Sequence, residues 1–376
     1  MNSLRICLVE PFYGGSHKRW ADELKRFSSH SIDILALPGR HWKWRMHGGA
    51  ITLAQEFKDR GKSYDIILAS DMLDLSLFVS LIGESIAGAA TAIYFHENQL
   101  TYPWSPRDKD TQKGRDNHYA FINYSSALAA DKVFFNSNYH KNSFLNELPK
   151  FLAQYPDFEN KSTIQSIREK CETLHLCMDL KAFDLHKPIE AIENDAPTIL
   201  WNHRWEYDKN PMGFFRVINI LRKRRLPFRL ALLGEHFQVE PPYFAKAKQQ
   251  LSDKIIQYGH VSSFEEYASW LWRSDIALVT SVQDFFGGSV VESIYCNALP
   301  LLPNRLAYPE HITITNQKDC FYEQEKDLVE KLVEIIETKS WKSASIDKSV
   351  IDSYDWTHGI HKYDSAFEEL ASTKAP

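Results

Sequence analysis

The sequence predicts an α/β protein made of two doubly wound, Rossmann-like domains, each built on a parallel sheet. Three observations carry this. Short apolar runs of strand length alternate with helical patterns along most of the chain, as in consecutive βαβ units. At 376 residues the chain is long for a single core, so two domains are the default. A polar, acidic stretch at 184–197, bounded by Pro188 and Pro197, interrupts the alternation and reads as a linker. The expected layout is therefore a first domain over 1–183, a second over 197–350, and a last helix within 351–376.

The first half opens with an apolar strand at 4–9. The turn after it carries Gly14 and Gly15 and leads to a helix near His17, with Ser16 as the expected N-cap. The turn lacks the G-x-G-x-x-G spacing, so it reads equally as an ordinary βα turn or as a ligand loop. After a second strand at 31–37 comes a loop holding Trp42, Lys43, Trp44 and Arg45. Aromatic faces interleaved with cations suit stacked bases and phosphates, and packed tryptophans are the competing reading. A helix at 50–58, a strand at 64–70, a helix at 75–83 and a strand at 91–95 follow. His96, Glu97 and Asn98 crowd the end of that strand, where a parallel sheet presents its ligands. The charged stretch 104–115 contains Arg107, Lys113 and Arg115. It also holds Asp108 and Asp110, an acid pair with no apolar strand before it, which reads as solvated loop. A helix at 118–130, a strand at 133–135 and a helix at 139–148 complete this half.

In the second half the expected elements are strand 198–201, helix 212–224, strand 228–233, helix 243–250, strand 255–258, helix 264–272, strand 276–280 and helix 327–338. The basic run 222–225 reads as a helix end, where cations complement the dipole. Arg204 and Lys209 follow the first of these strands and face the ligand end of the sheet. The stretch around which the chain is organised is 283–300. A strand, the pair Gly287-Gly288 and a helix start bring unpaired N–H groups and a positive dipole end to one point, which suits a phosphate. Asp284 precedes the glycines, and Glu292 lies one turn into the helix. Two readings of Glu292 stand side by side: a capping box with Ser289, or a carboxylate for ribose hydroxyls.

Composition narrows the class. Hydrophobic content of 44% and aromatic content of 13% fit a well-packed globular chain, and 44 basic against 49 acidic residues give a net charge of −5. Nucleic-acid contact would then depend on a local patch. Five scattered cysteines without a Cys-x-x-Cys pair suggest a reducing compartment and no zinc site. No window reads as a targeting segment or a membrane span, so a cytoplasmic protein is expected.

The acid–seven–Glu pattern enclosing FGG, with Arg204 and Lys209 upstream, resembles the donor site of glycosyltransferase family four. The resemblance implies a retaining hexosyltransferase of the GT-B fold, whose domains face a cleft and whose last helix, at 354–370, crosses back to the first domain. It further implies that Arg204 and Lys209 clamp the donor diphosphate, Asp284 and His96 contact the transferred sugar, and Glu292 contacts the ribose. Gly14, Gly15, Gly287, Gly288 and Ser289 would line the phosphates. Asp284 stands where the family usually has Glu, one methylene longer. The segments EPFYGGSHK (10–18), LPGRHWKWR (37–45), YFHENQLTYP (94–103) and FNSNYHKNSF (135–144) resemble one subgroup, the tRNA-queuosine α-mannosyltransferases. That likeness implies GDP-mannose as donor and the cyclopentenediol of queuosine in tRNA-Asp as acceptor. It places Trp42, Lys43, Trp44, Arg45, Glu97, Asn98, Arg107, Lys113 and Arg115 on the acceptor side. No metal is expected, because protein cations can balance the leaving diphosphate. The alternatives are a lipid or glycan acceptor, or a tRNA-binding protein without turnover.

Overall fold

A computed structural model describes residues 3–86, 88–105, 108–113, 117–189, 195–234, 241–313 and 317–374. The chain divides into two units, Met1–Met178 with Trp356–Pro376, and Asp179–Asp355. The break at 355/356 lies a few residues from that read in the sequence, whereas the second unit starts at Asp179, so the stretch 184–197 read as a linker falls inside it. Residues 179–183 join the second unit because Phe183 is fully buried there, with its ring 4.8 Å from Phe264 and 6.1 Å from Tyr267.

The first unit begins β1 (Arg5–Tyr13), α1 (Gly15–Phe27), β2 (Ser31–Pro38), α2 (Trp42–Arg60), β3 (Ile66–Ser70), α3 (Leu75–Ile82) and β4 (Ala90–Phe95). It continues α4 (Lys109–Gln112), α5 (Asn117–Ala129), β5 (Lys132–Phe135), α6 (Asn138–Leu152), α7 (Thr163–Glu169) and β6 (Cys171–Thr173). The strands form one parallel sheet in the order β2-β1-β3-β4-β5-β6. Its central strands are buried from end to end, as sheets covered on both faces require. Asp74 and Ser137 cap α3 and α6 through the N–H groups of Leu77 and His140. The cap of α1 is Gly14 rather than Ser16, so that helix starts two residues earlier than expected. The C-terminal helix Trp356–Ser372 belongs to this unit and sets Trp356, Tyr363, Phe367 and Leu370 among Trp20, Leu24 and Phe134.

The second unit runs β7 (Thr198–Asn202), α8 (Pro211–Lys223), β8 (Arg229–Leu233), α9 (Pro242–Gln250), β9 (Ile255–Gly259), α10 (Phe264–Trp272) and β10 (Ile276–Leu278). It ends with α11 (Gly288–Tyr295), β11 (Leu299–Pro303), α12 (Gln317–Cys320), β12 (Phe321–Tyr322), α13 (Glu325–Thr338) and α14 (Ser349–Asp352). Its parallel order, β12-β11-β10-β7-β8-β9, is the Rossmann order. The order of connection reverses between β7 and β10, and in the first unit between β1 and β3. Ligands of open α/β sheets bind at the carboxyl ends of strands at such points. Among the described residues no helix is long and apolar enough to cross a membrane.

Candidate active site

In the second unit the switch point brings together the turn after β7 and the glycine turn after β10. Lys209 is buried and sends its ammonium to three oxygens: the Gln283 carbonyl at 2.9 Å, Asp284 Oδ1 at 2.8 Å and Asp208 Oδ2 at 3.1 Å. An ammonium has three protons, so this set saturates it. Burial alone would lower the Lys209 pKa, but Asp284 and then Asp208 outweigh it and raise the value. Asp284 shows the converse: burial would raise its carboxyl, and Lys209 above all holds it below the usual range. Its second oxygen, Oδ2, accepts a hydrogen bond from the Tyr308 hydroxyl at 2.5 Å. Arg204 is more open than Lys209. Its side chain is half exposed and lies 3.5 Å from Glu206.

Gly287 adopts φ +86°, in the left-handed region that favours glycine, and starts α11 without a side-chain cap. The capping box with Ser289, one of the two readings of Glu292, is therefore not formed. With the helix beginning at Gly288, Ser289 is its second residue, and its hydroxyl lies 3.2 Å from His203 Nδ1. Glu292 is 5% exposed, and its Oε2 accepts a hydrogen bond from Tyr267 at 2.7 Å. Asn202, ending β7, ties the two turns by donating to the Ser289 carbonyl at 3.0 Å. Burial depresses His203 to about 4, so its ring is neutral at pH 7. Its Nε2 is buried with no hydrogen-bond partner among the described residues. The result is a helix start with an open first turn, a neutral imidazole, a buried carboxylate and a fixed acid–cation pair, all at one end of the sheet.

The first unit carries a second cluster at its own switch point. Glu10, near the end of β1, is fully buried and accepts from the Phe12 N–H, while its other oxygen lies 3.0 Å from His17 Nδ1. Burial would lower the His17 pKa, yet Glu10 outweighs it and raises the value to about 9. The His17 ring stacks obliquely on His96, with centroids 4.4 Å apart, and Trp20 meets His96 edge-on. His96 is depressed well below its ordinary value by burial first and His17 second, which keeps it neutral. Asp71 accepts the His96 backbone N–H at 2.8 Å, and burial raises its carboxyl. Among the described residues, Glu10, His17 and His96 are the group whose ligand atoms lie close enough, within 4.8 Å of one another, to hold a metal ion. The Glu10–His17 ion pair satisfies two of the three without one. Glu97 accepts from Gln99, and buried Asn98 shapes the following turn by accepting from Leu100 and Thr101. Gly14 packs so closely on Gly39 that a Cβ on it would lie 3.1 Å from the Gly39 Cα, while Gly15 has φ +53°.

The segment read as a basic aromatic loop is the first turn of α2 instead. Lys43 is only partly exposed: Asp108 and Asp110 bind its ammonium, and the rings of Trp42, Trp104 and Tyr119 lie around it. The acid pair expected as solvated loop is therefore a half-buried counter-charge. Arg45 donates to the Pro38 carbonyl, and Trp44, 63% exposed, lays its ring over Gly48. Lys113 is exposed; Arg107 and Arg115 lie outside the described residues. Asp71, His203 and Tyr267 were assigned no role from the sequence, since each acts through a partner brought in by the fold. Glu10 and His17 lie within the resembling segment 10–18, and Tyr308 in the segment 308–310 that shares the same likeness, but their pairings were not read.

Residues 5–178 match the family model described as tRNA-queuosine alpha-mannosyltransferase N-terminal, and residues 182–348 match that of glycosyl transferases group 1. The chain is 34% identical over 334 residues to the tRNA-queuosine alpha-mannosyltransferase of Drosophila melanogaster, spanning 87% of this chain and 85% of that protein. Among solved structures it resembles a glycosyltransferase from Rickettsia africae, with a TM-score of 0.66, 16% identity and coverage of 98% and 99% of the two chains. It also resembles the sucrose-phosphate synthase of Thermosynechococcus elongatus, with a TM-score of 0.72, 12% identity and coverage of 98% and 100%. At these identities the structural likeness speaks for the fold, which is that of GT-B glycosyltransferases.

Proposed function

The chain belongs to the tRNA-queuosine alpha-mannosyltransferase family, and from that premise we propose that it moves mannose from GDP-mannose, with retention, to the cyclopentenediol of queuosine in tRNA-Asp. That it is a hexosyltransferase follows from the family and from the group 1 domain. The observation that carries the donor reading is the glycine turn between β10 and α11. It offers open backbone N–H groups to a diphosphate and, one turn on, the Glu292 carboxylate to ribose hydroxyls. Arg204, with the α11 dipole, would stabilise charge on the leaving diphosphate, and Lys209 would add its field while holding Asp284.

The state of Asp284 bears on the mechanism. Both of its oxygens already accept hydrogen bonds from protein donors, which suits a sugar-contacting group better than a nucleophile. We therefore favour same-face attack. The bond between the anomeric carbon and the diphosphate oxygen breaks, the acceptor oxygen bonds on the same side, and its proton passes to the leaving phosphate. Neutral His96 would meet a sugar hydroxyl. We propose that no metal takes part and that the protein works in the cytoplasm, a setting that its five free cysteines fit.

A thermal-shift series tests the donor assignment, because a ligand that binds the folded state raises the melting temperature by mass action. GDP and GDP-mannose should each raise it, with UDP- and ADP-sugars giving little. A shift from UDP-sugars alone would reject the proposed donor.

A further inference from the structure

We infer that Tyr308 is a positioning residue of the donor site, which sets the orientation of the Asp284 carboxylate toward the transferred sugar. This rests on the donor reading above and extends it to a residue outside the acid–seven–Glu motif. Tyr308 is fully buried in the turn after β11. Its hydroxyl donates to Asp284 Oδ2 at 2.5 Å, while Lys209 takes Oδ1 at 2.8 Å. A carboxylate gripped at one oxygen can still swing about that contact; gripped at both, its plane is fixed. A carboxylate offers about four lone-pair sites, so about two remain, in fixed directions, for hydroxyls of a hexose.

The ring of Tyr308 does a second job. A Cβ on Gly287 would lie 2.9 Å from Tyr308 Cε1, so the ring is the floor on which the glycine turn rests. Three residues later, His311 Nε2 lies 2.6 Å from the Phe286 carbonyl. The turn at 308–311 thus holds the donor loop at Asp284, Phe286 and Gly287. Asp284 is shorter by one methylene than the Glu usual in the resembling family. A short side chain cannot swing to correct a misplaced carboxylate, so fixing its plane matters more.

The test is Tyr308→Phe, which keeps the ring and removes one hydroxyl. Steady-state mannose transfer should show kcat lowered about 10²-fold, as for a small displacement at a reacting centre, with KM for GDP-mannose within about threefold. The groups facing Asp284 are Lys209, His203 and Tyr308, with Asp208 on the far side of the Lys209 ammonium. Losing a donor to the charged form moves the acid limb of the pH profile upward, which a packing role would not do. Asp284→Asn is run alongside. Wild-type kcat and an unmoved acid limb in Tyr308→Phe, with the Asp284→Asn variant inactive, would overturn the inference and leave the donor reading standing. Full activity in Asp284→Asn would overturn both. A melting-temperature rise with GDP confirms that each variant is folded.

Discussion

Lys209 and Arg204, read together as a diphosphate clamp, differ in what their removal should do. Lys209 lies between the buried Asp208 carboxylate and the largely buried Asp284 carboxylate and contacts both. Lys209→Met removes that compensating charge and should cost about 3–5 kcal/mol in urea unfolding. Arg204→Ala should leave stability near wild type, because the side chain is half exposed, and should lower transfer about 10²-fold. An Arg204→Ala enzyme with wild-type kcat would remove that residue from the donor site. His17 gives a pH signature. Its folded pKa of about 9 lies above the ordinary 6.5, so the Glu10 pair contributes fully below pH 6.5 and is lost as pH rises through 9. Asp71, whose carboxyl is also raised, acts in the same direction. The melting temperature should therefore fall between pH 6.5 and 9, and fall less steeply in His17→Gln. Equal slopes would show that the pair is not linked to folding. None of these pairings was legible in the chain. Lys209 and Asp284 are each visible as charges near a strand end, but their contact across 75 positions depends on the sheet order.

At the scale of elements, the first turn of α2 changes what the aromatic stretch can offer an RNA. Lys43 is held by Asp108 and Asp110, whereas Trp44 shows an open ring face. Trp44→Ala should raise the Michaelis constant for tRNA about tenfold, within the range of one lost base stack, and leave GDP-mannose affinity unchanged. Lys43→Glu should instead lower the melting temperature, since it sets a third acid among two. The reverse pattern would mean that Lys43 meets the phosphates. This helix was misread for a physical reason: its N-cap is His41 in a left-handed conformation with no capping hydrogen bond, and its first turn carries no apolar stripe. The long apolar strands were legible because a parallel sheet buried on both faces leaves an uninterrupted hydrophobic run. Strands β6 and β12, of 3 and 2 residues, are too short to leave one, and neither was anticipated; nor was β11, whose run LPLLP is broken by proline. The glycine turn was found, but the capping reading of Ser289 failed because the helix starts one residue ahead of it.

For the whole molecule, two Rossmann-like units were legible from alternation and length, and the strand order of each sheet reverses beside one polar cluster. The family assignment rests on a match that spans most of the chain, while the donor, the acceptor base and the stereochemistry rest on the proposal. With a net charge of −5, binding to tRNA must come from a local surface, so activity should fall as salt rises. The most direct test is incorporation of labelled mannose from GDP-mannose into purified tRNA-Asp, with and without queuosine, using wild type and Glu292→Gln, in EDTA throughout. Label is expected in queuosine-containing tRNA-Asp only, as the α-linked product, and is expected to be lost in Glu292→Gln. Label in tRNA lacking queuosine, in a lipid or glycan instead, or in no acceptor until a divalent metal is restored, would contradict the proposed reaction.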